Sequence, residues 1–188
     1  MRKITAMLII LGFLALSNLA FANQTLEQQS NHELNVPRLS GEIKIDGEIR
    51  GAEWRKAAQV TEFYENNPGN QVDPPVETRA YITYDDTHIY VAFVCLDKRE
   101  TIRASYCERD NVGGDDNVGF FIDTYGNASY AYFFNVNPYG IQSDAIWSKN
   151  GGEDSSYDLI WESMGTVTDS GYQVEMAIPF SSLRFPGS

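Results

Sequence analysis

Residues 78–97 read TRAYITYDDTHIYVAFVCLD, and this stretch is the strongest indication of the fold. Two runs rich in Val, Ile, Tyr and Phe flank Asp85-Asp86, a pair typical of tight turns, so the stretch predicts a β-hairpin. In the second run, Ile89–Leu96, both alternating faces are apolar. A strand of that kind is covered on both sides in a folded protein. We therefore expect His88–Asp97 to be a central strand.

Short apolar segments of the same kind continue on both sides of this hairpin, separated by Gly, Asn, Asp and Pro. Their spacing of about ten residues predicts an all-β sandwich or barrel, and the short turns between them predict antiparallel pairing. One segment, Gly51–Ala58 (GAEWRKAA), has a helical pattern of about two turns. Besides the hairpin, the predicted strands are Ile43–Asp46, Val60–Phe63, Asn117–Thr124, Ser129–Asn137, Ile141–Ser148, Leu159–Thr168 and Tyr172–Ile178.

The first 36 residues differ in composition from the rest of the chain. Arg2 and Lys3 precede an apolar run, and Ala20-Phe21-Ala22 is a small-x-small cleavage site, so residues 1–22 predict a secretory signal peptide. Residues 23–36 are polar without periodicity, which indicates a flexible linker. We expect one exported domain over residues 37–188, located in the periplasm, at the cell surface or outside the cell.

The charge balance excludes some partners. With 26 acidic and 14 basic residues the chain has a net charge of -12, which disfavours binding to the phosphates of nucleic acids. No apolar stretch after residue 22 approaches the roughly 20 residues that span a bilayer. With Cys95 and Cys107 as the two cysteines, one disulfide is possible, and the sequence does not decide whether it forms. These two cysteines and the two histidines, His32 and His88, are too few for a zinc site.

Acidic residues near one predicted strand suggest calcium. Asp110, Asp115 and Asp116 precede the strand at 117–124, and Asp123 lies near its end. Such hard oxygen ligands suit Ca²⁺, although the EF-hand spacing is absent. The alternative is that Asp115 and Asp116 are turn residues that accept hydrogen bonds from local backbone N–H groups. A catalytic pair of carboxyls, which a glycoside hydrolase needs, has no specific signal in the sequence.

Aromatic residues make up 13% of the chain and point to a sugar site. The flat C–H faces of sugars stack on aromatic rings, and their hydroxyl groups need polar partners nearby. The predicted sugar-binding residues are Trp147, with Tyr139, Tyr157, Gln142 and Asp144 around it in the sequence. For Trp54 and Trp161 we expect burial in the core. A haem bound by His88 with Met164 or Met176 is a weaker alternative, because the methionines fit core positions.

Several pieces of the sequence, taken in order, carry a family resemblance. They are Ile45-Asp46-Gly47-Glu48 with Glu53-Trp54, Tyr81–Asp85, Asp115-Asp116-Asn117 with Phe121-Ile122-Asp123, Phe134–Pro138, Trp161, and Gly171-Tyr172 with Val174–Phe180 and Leu183–Phe185. Together they resemble carbohydrate-binding module family 9 and its close relatives, over about residues 43–185. The resemblance implies a β-sandwich of jelly-roll or immunoglobulin-like type with one short helix, and it implies that the IDG…EW and EMAIPF…LRF segments are scaffold.

The same resemblance implies a function. Modules of this family accompany xylanases and similar glycoside hydrolases, bind sugars between two Trp rings, and can hold structural calcium; Trp147 is the one residue here that we match to such a ring. The resemblance therefore implies non-catalytic binding of an oligo- or polysaccharide in carbohydrate breakdown. The alternatives are an N-terminal scaffold module that has lost its sugar site, and a glycoside hydrolase. Exposure of Trp147 favours sugar binding, and its burial favours the scaffold.

The resemblance also has an implication for the region beyond residue 188. This sequence looks most like the subgroup at the N-terminus of large exported bacterial proteins, some with an outer-membrane barrel behind the module. The chain stops soon after Ile178-Pro179-Phe180, where similar proteins continue into a further strand. We therefore expect a fragment that is truncated at its C-terminus, with a catalytic domain or such a barrel as the next domain of the full protein.

Overall fold

The computed structural model describes residues 33–187, so the predicted signal peptide and the linker up to residue 32 lie outside the described residues. Over this range the elements are a short helix α1 (Gly51–Trp54), nine strands and a 3₁₀ turn (Phe180–Ser182). The strands are β1 (Ala58–Val60), β2 (Glu77–Tyr84), β3 (His88–Leu96), β4 (Val118–Ile122), β5 (Tyr130–Val136), β6 (Gln142–Ser148), β7 (Gly152–Asp154), β8 (Glu162–Thr168) and β9 (Gly171–Pro179). None of the helices described is long and apolar enough to cross a membrane.

The strands form two antiparallel sheets. The order of the five-stranded sheet is β1-β2-β3-β9-β8, and that of the four-stranded sheet is β4-β5-β6-β7. Because side chains alternate across a strand, each sheet turns one set of apolar residues toward the other sheet. Val91 and Val174 from the first sheet and Phe134 and Val136 from the second belong to one buried cluster. The prediction of an all-β antiparallel sandwich is confirmed.

The central position of β3 is also confirmed. It lies between β2 and β9, and its residues Ile89, Val91 and Phe93 face the four-stranded sheet. On its other face Ala92 packs in a second cluster with Ile43 and Trp54, which come from the segment before β1. This segment covers the back of the five-stranded sheet, which explains why both faces of the strand are apolar.

Two predictions about local structure were wrong, and one strand was missed. The predicted strand Ile43–Asp46 pairs with no other strand, because the N–H groups of Asp46 and Gly47 are taken by the side chain of Glu175 at 3.1 and 3.0 Å. The predicted helix Gly51–Ala58 is helical only over Gly51–Trp54. Strand β7 was missed, since its sequence GED with the preceding glycine is typical of a loop. Cys95 and Cys107 are both free, so the disulfide that the sequence left undecided is not formed in this structure.

Gly47 shows why the IDG segment requires glycine. Its φ is +80°, a conformation that side chains disfavour, and a Cβ there would lie 2.6 Å from Thr166 Oγ1. A larger residue would therefore push this segment away from the sheet. Trp54 and Trp161 are buried, as predicted, with 2% and 6% of their surfaces exposed.

Candidate functional site

The outward surface of the four-stranded sheet carries three large aromatic side chains. In β6 the residue Ile146 faces the core, so alternation places Trp147 on the opposite face. Phe121 and Phe133 share that face with it, because their sequence neighbours Phe120, Ile122 and Phe134 belong to the core cluster. Paired strands turn opposed residues to the same side. We call this surface the outer aromatic face, defined by Phe121, Phe133 and Trp147.

These rings are arranged in a staggered row. Phe121 stacks on Phe133, with ring centroids 4.4 Å apart and planes 22° from parallel. Phe133 is opposite Ala145 and Trp147 is opposite Ala131, so the tryptophan lies diagonally across from Phe133. Phe121 is 45% exposed, and Phe133 and Trp147 are partly exposed. Because the opposite residues are small alanines, part of each ring stays accessible, and a surface that stacks on sugars needs such accessible rings.

Small and polar residues adjoin the rings. In the next row Asn135 pairs with Gly119 on one side and Ser143 on the other. A Cβ on Gly119 would lie 3.0 Å from the Asn135 Oδ1 atom, so the amide lies over the glycine. Within residues 33–187 the side-chain amide of Asn135, a residue that is 8% exposed, makes no hydrogen bond. An amide that both donates and accepts suits a sugar hydroxyl group.

Two of the predicted sugar-binding residues face the interior. Asp144 is 1% exposed and accepts hydrogen bonds from Leu159 N at 2.7 Å and Trp161 Nε1 at 3.3 Å. Arg109 also donates to Asp144, and its Nη1 donates to Gln142 Oε1 at 2.7 Å. Burial raises the pKa of Asp144, while these donors act in the opposite direction. Asp144 and Gln142 therefore tie β6 to neighbouring segments inside the sandwich, on the opposite face from Trp147.

The two predicted tyrosines also lie away from Trp147. Tyr139 is in the turn between β5 and β6, at the other end of β6, and its ring stacks on Tyr106 with centroids 4.3 Å apart. Tyr106 is 82% exposed. Tyr157 packs against the main core cluster. The structure therefore leaves Trp147 without the four partners predicted from the sequence and gives it Phe121 and Phe133 instead.

Phe121 and Phe133 were missed because each lies next to a second phenylalanine in the sequence. The runs FFI and YFFNV carry too little alternation to show which ring faces outward. Only the strand register separates Phe121 from Phe120 and Phe133 from Phe134.

The four aspartates predicted to bind calcium accept hydrogen bonds or form ion pairs with other groups of the protein. Asp115 accepts from Ser105 N at 3.1 Å and from Asn137 Nδ2 at 2.8 Å; burial acts to raise the pKa of Asp115, but these bonds hold it below its usual range. Asp116 forms an ion pair with Arg103 at 2.8 Å. The other two act on the backbone: Asp110 Oδ1 accepts from Asp144 N at 3.2 Å, and Asp123 accepts three N–H groups of its turn.

As arranged, these carboxylates do not form a cation cluster. In the part of the chain that the structure describes, no three His, Cys, Asp or Glu side chains are grouped so that they could hold a metal ion. Calcium binding by Asp110, Asp115, Asp116 and Asp123 stays a prediction. Its test is thermal unfolding with calcium and with a chelator, and a rise in Tm that the chelator reverses would support it.

Three solved structures resemble this one. A candidate carbohydrate-binding protein from Bacteroides uniformis ATCC 8492 matches with a TM-score of 0.62 and 15% sequence identity, over 81% of this chain and 76% of that chain. A family 9 carbohydrate-binding module from Caldicellulosiruptor kristjanssonii, in complex with cellotriose, matches with a TM-score of 0.54 and 17% identity, over 81% and 71% of the two chains. The same kind of module in complex with glucose gives a TM-score of 0.52 and 17% identity, over 81% and 72%.

These identities show the fold alone. No curated protein sequence matches this chain. The family model for the carbohydrate family 9 binding domain-like proteins matches residues 45–188, which is most of the sequence. It covers both segments that pack against each other on the back of the sandwich, IDG…EW and EMAIPF. The chain therefore belongs to the carbohydrate family 9 binding domain-like family.

Proposed function

We propose that this domain binds saccharides without cleaving them, and that the outer aromatic face is the binding surface. The observation that carries the proposal is the row of three partly or fully accessible rings, Phe121, Phe133 and Trp147, beside Asn135, whose amide has no hydrogen-bond partner among the described residues. Rings supply stacking area and amides select hydroxyl orientation. Family membership and the cellotriose and glucose bound by two structural relatives support this reading.

The described strand residues of this surface do not include the pair of carboxyl groups that hydrolysis needs. Glycoside hydrolysis uses two carboxyl groups on either side of one bond. Among the strand residues on this face Glu153, opposite Trp147, is the one carboxylate. The chemistry available at the face is therefore recognition, with stacking as its main source of affinity.

Export and a role in polysaccharide breakdown belong to the same proposal. The apolar run before Ala22 supports export, and a module that binds sugar chains would hold a degrading enzyme on its substrate. N-terminal sequencing of the protein recovered from the producing cells tests export. A mature chain that begins at Asn23 would support it, and retention of Met1 would contradict it.

A scaffold role without sugar binding is the second candidate. One observation favours it: Gln142 and Asp144 are turned into the interior, so the polar groups expected around Trp147 are absent from its face. Trp147 itself is only partly exposed.

Isothermal titration against xylo-, cello-, manno- and galacto-oligosaccharides separates the two functions. Saturable binding that weakens in Phe133→Ala would support recognition at the outer aromatic face. No heat change with any member of the panel, from protein that circular dichroism shows to be folded, would support the scaffold.

A further inference from the structure

A shallow, open cleft lies at one end of the four-stranded sheet. Its cavity measures about 330 Å³ and is lined by Tyr125, Asn127, Tyr130 and Arg184, which we call the end cleft. This volume is near the lower end of the range of about 300–1,000 Å³ that is typical of small-molecule sites. Tyr125 and Tyr130 meet edge to face, with centroids 6.3 Å apart. None of these four residues belongs to the outer aromatic face.

The wall formed by the turn between β4 and β5 is fixed before any ligand arrives. Asp123 Oδ1 accepts from Tyr125 N at 2.9 Å and from Gly126 N at 2.8 Å, and its Oδ2 accepts from Ala128 N at 2.7 Å. Asn127 Oδ1 accepts from Ser129 N at 3.0 Å, so its amino group is the end left for a ligand. A wall held in this way loses little freedom on binding.

The opposite wall is held as firmly. The main-chain N–H of Arg184 donates to Tyr132 Oη at 3.0 Å, and its carbonyl oxygen accepts from Thr124 Oγ1 at 2.5 Å. The backbone is thus tied to both β5 and the residues after β4, while the side chain is exposed. Substitution of the Arg184 side chain leaves both of these anchors in place.

Among the residues that the structure describes, Arg184 has no carboxylate partner, although the protein is strongly acidic. Six other arginines lie within 4 Å of a carboxylate: Arg38, Arg50, Arg79, Arg99, Arg103 and Arg109. In the described part of the chain Arg184 has no such partner, and no acidic residue lines the end cleft. With a net charge of -12, the chain as a whole repels anions. Arg55 also has no ion pair in the described residues, so what distinguishes Arg184 is its position in a cleft with two tyrosine rings.

We propose that the end cleft is a second saccharide site, which selects a sugar carrying a carboxylate. The exposed ring of Tyr125 contacts the apolar face of the sugar, the edge of the partly buried Tyr130 lines the cleft beside it, and Arg184 forms paired hydrogen bonds with the carboxylate. The amino group of Asn127 donates to a hydroxyl or carboxylate oxygen. A neutral sugar would leave the guanidinium without its matching partner, so the preference is for uronic acids.

Titration with galacturonic acid oligomers of two to four units, and with galactose oligomers of the same length, tests this site. We expect the acidic oligomers to bind at least about tenfold more tightly than the neutral ones. Added salt should lower the affinity for the acidic oligomers, because their contact with Arg184 is ionic. Arg184→Gln should remove that preference. Arg55→Gln is the matched control, since Arg55 is also exposed and has no ion pair in the residues described.

The outcomes separate this site from the outer aromatic face. Loss of uronate binding in Arg184→Gln but not in Trp147→Ala supports the end cleft, whether or not neutral sugars bind elsewhere. Equal affinity for acidic and neutral oligomers would overturn the proposal, as would an equal loss in Arg184→Gln and Arg55→Gln. Uronate binding that is lost only in Trp147→Ala would also overturn it, because the ligand would then lie on the other surface.

Discussion

The indole Nε1 of Trp54 donates a hydrogen bond of 2.8 Å to Oε1 of Glu175, 121 residues further along the chain. The other oxygen of the same carboxylate accepts from the N–H groups of Asp46 and Gly47. Glu175 is fully buried, and burial raises its pKa. One side chain of β9 thus attaches both the IDG turn and the α1 helix to the back of the five-stranded sheet. This contact gives a physical reason for the two segments that we assigned to the scaffold.

Replacement of Trp54 should test that attachment. Trp54→Phe keeps a ring but leaves Glu175 Oε1 without its donor, so we expect a loss of about 2–3 kcal/mol in the free energy of unfolding, measured with urea. In a double-mutant cycle with Glu175→Leu the combined loss should be smaller than the sum of the two single losses, because leucine has no acceptor and both substitutions therefore remove the same hydrogen bond. Strictly additive losses would show that the contact contributes little.

The sequence was sufficient to predict the sheets but not the segment that covers them. The runs of β-branched and aromatic residues in β2 and β3, together with the turn residues Asp85-Asp86 between them, identify an antiparallel hairpin. Residues Ile43–Asp46 have the same apolar pattern and yet form no strand, since their backbone partner is the side chain of Glu175. A partner that distant in sequence is not visible in a local pattern.

The candidate site was predictable to a smaller extent. Trp147 was found from its residue type, but its neighbours on the sheet depend on strand pairing, which brings Phe133 from another strand beside it. Sequence proximity suggested Gln142 and Asp144 instead, and these alternate to the inner face. Successive residues of a strand lie on opposite faces of the sheet, so an error of one residue in the predicted register assigns the site residues to the wrong face.

The buried contact between Asp144 and Arg109 should be important for stability. Asp144→Asn removes the fully buried member of the three carboxylates within 4 Å of Arg109, and because the Arg109 side chain is itself 35% exposed we expect a loss of about 2 kcal/mol in chemical denaturation. The matched control is Asp158→Asn, because Asp158 lies 3.3 Å from the same arginine but its side chain is 78% exposed. That variant should unfold almost as the wild type does. A similar loss in both variants would contradict the role that we assign to burial.

Asp85 should make stability depend on pH in the acid range. Burial acts to raise its pKa, but hydrogen bonds from Thr87, His88 and Tyr90 together lower the pKa to about 2. A lowered pKa in the folded state means that the stabilisation is complete above the unfolded value near 4 and disappears as the pH falls toward 2. The shift corresponds to about 1–2 kcal/mol at pH 7.

Asp85→Asn is the variant that measures this contribution. The difference in unfolding free energy between wild type and variant should be largest at neutral pH and should decline as the pH falls from about 4 through 2. Asp86→Asn is the control, since the neighbouring side chain is exposed and its loss should change the Tm little at any pH. A difference that stays constant from pH 7 to pH 2 would contradict the assignment of the shift to Asp85.

Sugar binding at the outer aromatic face is tested most directly by isothermal titration of cellotriose into the wild type, a tryptophan variant and a tyrosine variant. Trp147→Ala removes a ring of the outer aromatic face, and Tyr64→Ala removes a ring that is 55% exposed in the loop between β1 and β2. We predict saturable binding by the wild type, a loss of at least about tenfold in Trp147→Ala, and unchanged affinity in Tyr64→Ala. Full affinity in a folded Trp147→Ala variant would contradict binding at this face.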